Sequence, residues 1–166
     1  MKLLLNQKQV KPQGVFFSDR KMNMVMEGRF SKIIYSDTYF SLNGIFVTFP
    51  LKVKQISKNI IYFDNKTNQE LLCDLCKLEE QLLNDYASYF NIESKSKQTT
   101  FKNILMCGQL KFYKESNERY NPHDHYNQTN CRYYETPTTK SNYYVKISGI
   151  WETPLQYGIT YKIIEY

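Results

Sequence analysis

The sequence predicts a mostly β domain of the α+β class. Three features carry that expectation: runs in which apolar and polar residues alternate, one stretch with helical spacing, and a closing pair of strand-like runs joined by a short turn. At 166 residues and 19.9 kDa the chain has the size of one domain.

Residues 1–21 are polar, contain Pro12 and Gly14 and hold no sustained period, so they read as an N-terminal arm or edge segment ahead of a single domain over 22–166. In MNMVMEGRFSKIIY, Met22, Met24, Met26, Gly28 and Phe30 alternate with mostly polar neighbours, the period of two of a half-buried strand. Ser36-Asp37 supplies a turn into TYFSLNGIFVTF, a second strand in which Asn43-Gly44 can host a tight turn or a bulge. LKVKQISKNIIYF makes a third, with Lys52 and Lys54 on one side and Leu51 and Val53 on the other.

The period then changes. Leu71, Leu75, Leu78, Leu82, Tyr86 and Phe90 recur at helical spacing, with Thr67 or Asn68 to cap the start and Glu70 in the first turn. Glu79, Glu80 and Asp85 fall largely off the apolar stripe and predict a solvated helix face. After a polar stretch, FKNILMCGQLKFYK reads as a strand with a bulge at Gly108. Residues 115–142 have no usable period, and loops of that length in compact domains are usually functional or disordered. A hairpin closes the chain, turning between Glu152 and Gly158.

Three strands, a helix, a strand, a long loop and a hairpin follow the order of an OB-like five-stranded barrel. Such a barrel carries one helix between strands three and four and binds oligonucleotides on one face and through its first and fourth connecting loops. Here the connection after the fourth strand is the long polar one.

Net charge is +6, which favours a polyanionic partner. Its distribution is uneven: +7 over residues 1–60, −3 over 61–100 and +2 over 101–166. That division predicts one basic face. The composition, rich in Lys, Asn, Ile, Tyr and Phe with only four Arg, is also what AT-rich coding DNA produces, so placement carries more information than counts. The opening MKLLLNQKQV turns polar too soon for a signal-peptide core, and no run approaches the roughly 20 apolar residues of a membrane span. Four irregularly spaced Cys do not form a disulfide framework, so the expectation is a reduced, cytoplasmic protein with no membrane partner.

Catalytic motifs are missing: the sequence has no Gly-x-Ser-x-Gly, no phosphate-binding Gly-x-x-x-x-Gly-Lys-Ser/Thr and no Gly-x-Gly-x-x-Gly. The expectation is a non-enzyme without a cofactor. A zinc set could be assembled from Cys73, Cys76, His123, His125 and Cys131. However, Cys73 and Cys76 lie in the helical pattern, and Cys76 extends the apolar face beside Leu72 and Leu83. That favours a small core thiol over a ligand, and no metal site is assigned.

Nucleic acid is the better-supported ligand. Single strands are held by aromatic platforms in a positive groove, each stacked base being worth about 1–3 kcal/mol. The candidate stacking groups are Phe112, Tyr113, Tyr120, Tyr133, Tyr134 and Tyr144. The candidate phosphate contacts are Lys52, Lys54, Lys114, Arg119, Arg132, Lys146 and Lys162. In the last hairpin Val145 and Ile147 share the inward face, leaving Tyr144, Lys146 and Ser148 outward. Ile159, Tyr161 and Ile163 oppose Thr160 and Lys162 in the same way. Strict alternation from Val145 puts Trp151 inward, whereas a bulge at Gly149 would turn it outward.

Lys146-Ile-Ser-Gly-Ile-Trp-Glu152 followed by Tyr157-Gly-Ile-Thr-Tyr-Lys162 resembles the carboxy-terminal hairpin of OB-fold single-stranded-DNA-binding proteins. The family is that of large cytoplasmic DNA viruses and of virus-like yeast cytoplasmic linear plasmids. The specific likeness covers about 20 residues; the rest agrees in element order and length. The resemblance implies a non-catalytic protein that coats displaced strands during viral or plasmid DNA replication, alongside other replication proteins. DNA and RNA fit alike, since the contact that separates them is a single 2′-hydroxyl. The competing expectation is a protein-interaction module whose basic charge is incidental.

Overall fold

The computed structural model describes residues 3–22, 27–114 and 142–166. The chain is mostly β, built as a curled half-barrel sheet with two helices packed against it. In order, the elements are β1 (Val15–Phe17), β2 (Lys21–Met22), β3 (Arg29–Asp37), β4 (Phe40–Leu42), β5 (Ile45–Phe49), β6 (Val53–Ser57), β7 (Ile60–Phe63) and α1 (Gln69–Phe90). They continue with β8 (Ser96–Gln98), α2 (Thr100–Met106), β9 (Gln109–Lys111), β10 (Tyr113–Lys114), β11 (Tyr143–Glu152) and β12 (Gln156–Glu165).

The long hairpin β11–β12 is the spine of the main sheet. β11 pairs antiparallel with β12 on one side; on the other it pairs with β5 through its first half and with β3 through its second. β1, β2 and β4 extend β3, while β8 and β10 run parallel to β12. A second, three-stranded sheet is ordered β6-β7-β9. Gly44, at φ +109°, marks the change of direction from β4 to β5, and a Cβ there would stand 2.6 Å from the Ile147 carbonyl oxygen. Close backbone approach of this kind requires glycine.

The core lies between the inner face of the curled sheet and the helices. Ile33, Ile45, Val47, Phe49, Val145, Ile147, Ile150 and Ile163 supply the sheet side; Leu75, Leu82, Leu83, Tyr86, Phe101 and Leu105 supply the helical side. Alternation assigned the inward residues of the closing hairpin as found: Val145, Ile147, Ile159 and Ile163 are buried. Leu51 is likewise buried, with Lys52 and Lys54 exposed.

Several elements differ from expectation. The run LKVKQISKNIIYF is not one strand but the hairpin β6–β7, reversed at Lys58 with φ +55°. Ser36 and Asp37 remain in β3, and the turn falls at Thr38-Tyr39. Phe30 belongs to the outer face of β3, whose buried residues are Ser31, Ile33 and Tyr35. Met22 is exposed, and Met24 and Met26 lie outside the described residues. Part of the N-terminal segment is sheet: β1 pairs with β3, and Leu5 bridges to Val47.

The first half of FKNILMCGQLKFYK is a helix, not a strand. Phe101 and Leu105, four residues apart, are both fully buried, and Gly108 (φ +71°) follows the helix end rather than forming a bulge. This second helix explains the fate of Glu79, expected on a solvated face but 0% exposed. Its carboxylate accepts hydrogen bonds from the backbone N–H groups of Phe101 (3.0 Å) and Lys102 (2.8 Å), joining the first turn of α2 to α1. Asn68 precedes α1 without a side-chain cap: its amide accepts from the N–H of Lys52 and donates to the carbonyls of Lys52 and Asp64.

Candidate nucleic-acid interface

Residues directly opposite one another in an antiparallel pair share a face, so the register determines which side chains gather on the outer surface of the sheet. Lys146 is opposite Phe46 on β5 and Lys162 on β12. Tyr144 is opposite Thr48 and Ile164, and Tyr113 joins that row from the parallel strand β10. These positions alternate with the buried Val47, Val145 and Ile163, so they face away from the core.

Between Ile147 and Gly149 the register of β11 slips by one residue against β12. Ser148 is the extra residue. Beyond it Ile150 turns inward and is fully buried, while Trp151 turns outward and is partly exposed. The phase reversal expected of a bulge at this glycine is what the strand adopts. Trp151 then stands opposite Phe30 on β3 and Gly158 on β12, and Phe30 is in turn opposite Lys21. A Cβ on Gly149 would stand 2.5 Å from the Phe30 ring, so the glycine admits that ring to the face.

The outer face thus carries Phe30, Phe46, Tyr113 and Trp151 among Lys21, Lys32, Lys146 and Lys162. The outward positions on β3, β5, β11 and β12 contain no carboxylate among the described residues. Two of these lysines lie over rings, Lys146 Nζ at 5.2 Å from the centre of Phe46 and Lys162 Nζ at 5.5 Å from the centre of Tyr113. Lys111, at the end of β9, places its Nζ 5.5 Å from the same Tyr113 ring. Contacts within about 6 Å are attractive but weak when exposed, on the order of 0.5–1 kcal/mol. They therefore leave the ammonium charges available to an anion.

Five cations elsewhere are committed to carboxylates. Lys8, Lys77 and Lys97 pair with carboxylates of α1, and Arg20 and Lys95 pair with Glu152. Glu152 lies at the wall of an open cleft of about 530 Å³, held by Lys95 at 2.6 Å, the Tyr86 hydroxyl at 2.9 Å and Arg20 at 3.4 Å. Burial alone would raise its carboxyl pKa, but hydrogen bonds from Lys95 and Tyr86 and the charges of Lys95 and Arg20 outweigh it and hold the pKa below the usual value. That cluster is a structural tie.

Not every expected residue reaches the face. Phe112 is 2% exposed and packs edge-on against Tyr143 at 5.6 Å, so it is a core residue and no stacking platform. Tyr144 has the outward phase but is 3% exposed, with Phe46 and Tyr166 rings at 6.2 and 5.6 Å, and burial raises its hydroxyl pKa. It is a packed residue of that face, not an open platform. Lys52 and Lys54 are exposed but belong to β6 and its approach, in the separate small sheet. Lys114 is exposed at β10, beside Glu165 in register. Arg119, Tyr120, Arg132, Tyr133 and Tyr134 lie outside the described residues, as do His123, His125 and Cys131.

Phe30, Lys21, Lys32, Phe46 and Lys111 were missed from the sequence. The pairing of β3 and β5 with β11 brings Phe30, Lys32 and Phe46 there, β2 adds Lys21 beside Phe30, and Lys111 reaches the Tyr113 ring from the end of β9. The alternation Phe30-Lys32-Ile34 was the available signal. Cys76 is half-buried against the core and burial raises its thiol pKa, whereas Cys73 is exposed. Among the described residues no group of three His, Cys, Asp or Glu is placed to hold a metal, and no helix is long and apolar enough to cross a membrane. Comparisons with protein-family models, curated proteins and solved structures found no match to the chain.

Proposed function

We propose that this is a non-catalytic protein that binds single-stranded nucleic acid, DNA in the first instance, with little sequence preference. In this reading the sheet is an OB-like barrel and its outer face is the binding surface. The observation that carries the proposal is the outer face itself: four aromatic rings among four lysines, with no carboxylate at its paired outward positions. Unstacked bases offer π-faces to the rings while their phosphates meet the ammonium groups, a combination tolerant of sequence. A duplex buries its base faces and could use only the charge. The work of such a protein would be to hold strands extended and shielded, as when displaced strands are coated during replication in the cytoplasm, where other replication proteins would be its partners.

The test is intrinsic fluorescence. Trp151 is the only tryptophan and lies on the proposed surface. Oligo(dT) should quench it saturably, with an affinity that falls as salt rises; duplex of equal length should quench it poorly. Trp151→Ala should weaken oligo(dT) binding, measured by anisotropy of a labelled strand, by about 1–3 kcal/mol. If anisotropy at low salt shows no complex with the wild-type protein, the proposal fails.

A further inference from the structure

The rings on the outer face are not one continuous platform. Trp151 and Phe30 form one row with Gly158, and the next row toward the other end holds only Lys32, Gly149 and Thr160. No ring lies in that second row. Beyond it come Phe46, Lys146 and Lys162, where the Lys146 ammonium covers the Phe46 ring at 5.2 Å. The last row contains Tyr113, exposed at 44% and flanked by Lys111 and Lys162, while Tyr144 beside it is buried. Along the hairpin β11–β12, the Trp151–Phe30 pair and Tyr113 are therefore at opposite ends of the face, with the partly exposed Phe46 off the hairpin on β5.

Their separation follows from the register. Trp151 is level with Gly158 and Tyr113 is level with Ile164 on the same strand, six residues apart. At a rise of about 3.3 Å per residue, that is roughly 20 Å. A stacked strand advances about 3.4 Å per nucleotide, so the interval takes at most about six nucleotide steps, and fewer where the strand is drawn out.

Resting on the function proposed above, we infer that a single strand engages this face at two separated stacking stations, Trp151–Phe30 and Tyr113. Phosphates on Lys146 and Lys162 span the interval between them. A trinucleotide reaches one station only. A strand of about seven or more nucleotides reaches both, and the second contact becomes intramolecular, gaining from effective concentration rather than from a new free ligand. Affinity should then rise in a step with length, not in proportion to it.

The experiment uses the full chain and compares dT3 with dT8 at low salt, reading both Trp151 quenching and anisotropy of end-labelled strands. Wild type is expected to bind dT8 at least tenfold tighter than dT3. In Tyr113→Ala that ratio should collapse to threefold or less, with dT3 quenching of Trp151 unchanged within twofold. Tyr113 is exposed, so its removal opens no cavity in the core. Lys162→Gln is a second variant, expected to lower the dT8 affinity more than the dT3 affinity. If Tyr113→Ala keeps the full wild-type ratio, or weakens dT3 and dT8 equally, the two-station reading is overturned while single-strand binding stands. If wild type binds neither strand by anisotropy, both readings fall.

Discussion

Trp151 and Gly158 stand opposite each other across β11 and β12, so close that a Cβ on Gly158 would be 2.7 Å from Cζ2 of the indole. The absence of a side chain on one strand thus seats the largest side chain of the other. Gly158→Ala should displace the indole or spread the strands, since the carbonyl oxygen of Gln98 closes the other side at 3.1 Å. Overpacking of this kind costs about 1–3 kcal/mol. The expected outcome is a lowered Tm with a shifted tryptophan emission maximum, and an unchanged spectrum and Tm would contradict the packing described.

Charge on the outer face should appear in the salt dependence. Each phosphate neutralised on a single strand contributes about 0.7 to the slope of log K against log salt. Lys146→Gln and Lys162→Gln should each reduce the slope by about that amount. Lys97→Gln, at a lysine that pairs with Glu80, should leave it unchanged. Equal slopes in all three variants would remove these lysines from the binding surface.

Glu152 governs part of the acid limb of stability. Its folded-state pKa is below the ordinary glutamate value of 4.5, so the stability it contributes is present above that value and lost as pH falls through the folded one. Glu152→Gln should lower stability by about 1–3 kcal/mol near neutral pH, because Lys95 and Arg20 lose their carboxylate. The difference from wild type should narrow under acid. Urea unfolding at stepped pH values measures it, and a constant difference across pH would count against the assignment.

Glu79 behaves with the opposite sign. Burial raises its pKa despite the hydrogen bonds from Phe101 and Lys102, so the folded state loses stability as pH rises from 4.5 through the raised value. Glu79→Gln cannot titrate and should show no decline in that interval. At lower pH, where the wild-type carboxyl is also protonated and like the amide offers one carbonyl acceptor to the two N–H groups, the two proteins should be of similar stability. The same urea series reads both glutamates.

What the sequence made legible was local. The closing hairpin and α1 each hold a clear period over a long run, and both elements were placed correctly. The phase of Trp151 was left open between core and surface, and Glu79 was put on the wrong face. The helix α2 is seven residues long, too short to display a period, and its anchor is Glu79, 21 residues before its start. Tyr144 illustrates a different limit. Alternation fixes the side of the sheet a residue occupies, but whether neighbouring rings cover it depends on strands distant in sequence, here the one carrying Phe46. The basic face was anticipated from charge asymmetry, yet Lys21, Lys32 and Phe30 join it only through pairing over more than 100 residues.

The single extra residue at Ser148 constrains how this strand can change over generations. Replacing one side chain in β11 alters one contact, whereas losing or gaining a codon beside the bulge would exchange Ile150 and Trp151 between core and solvent in one event. Inheritance in this segment is therefore expected to run by substitution. A descendant chain without the bulge would need a second length change before the turn at Thr153 to restore its hydrophobic side.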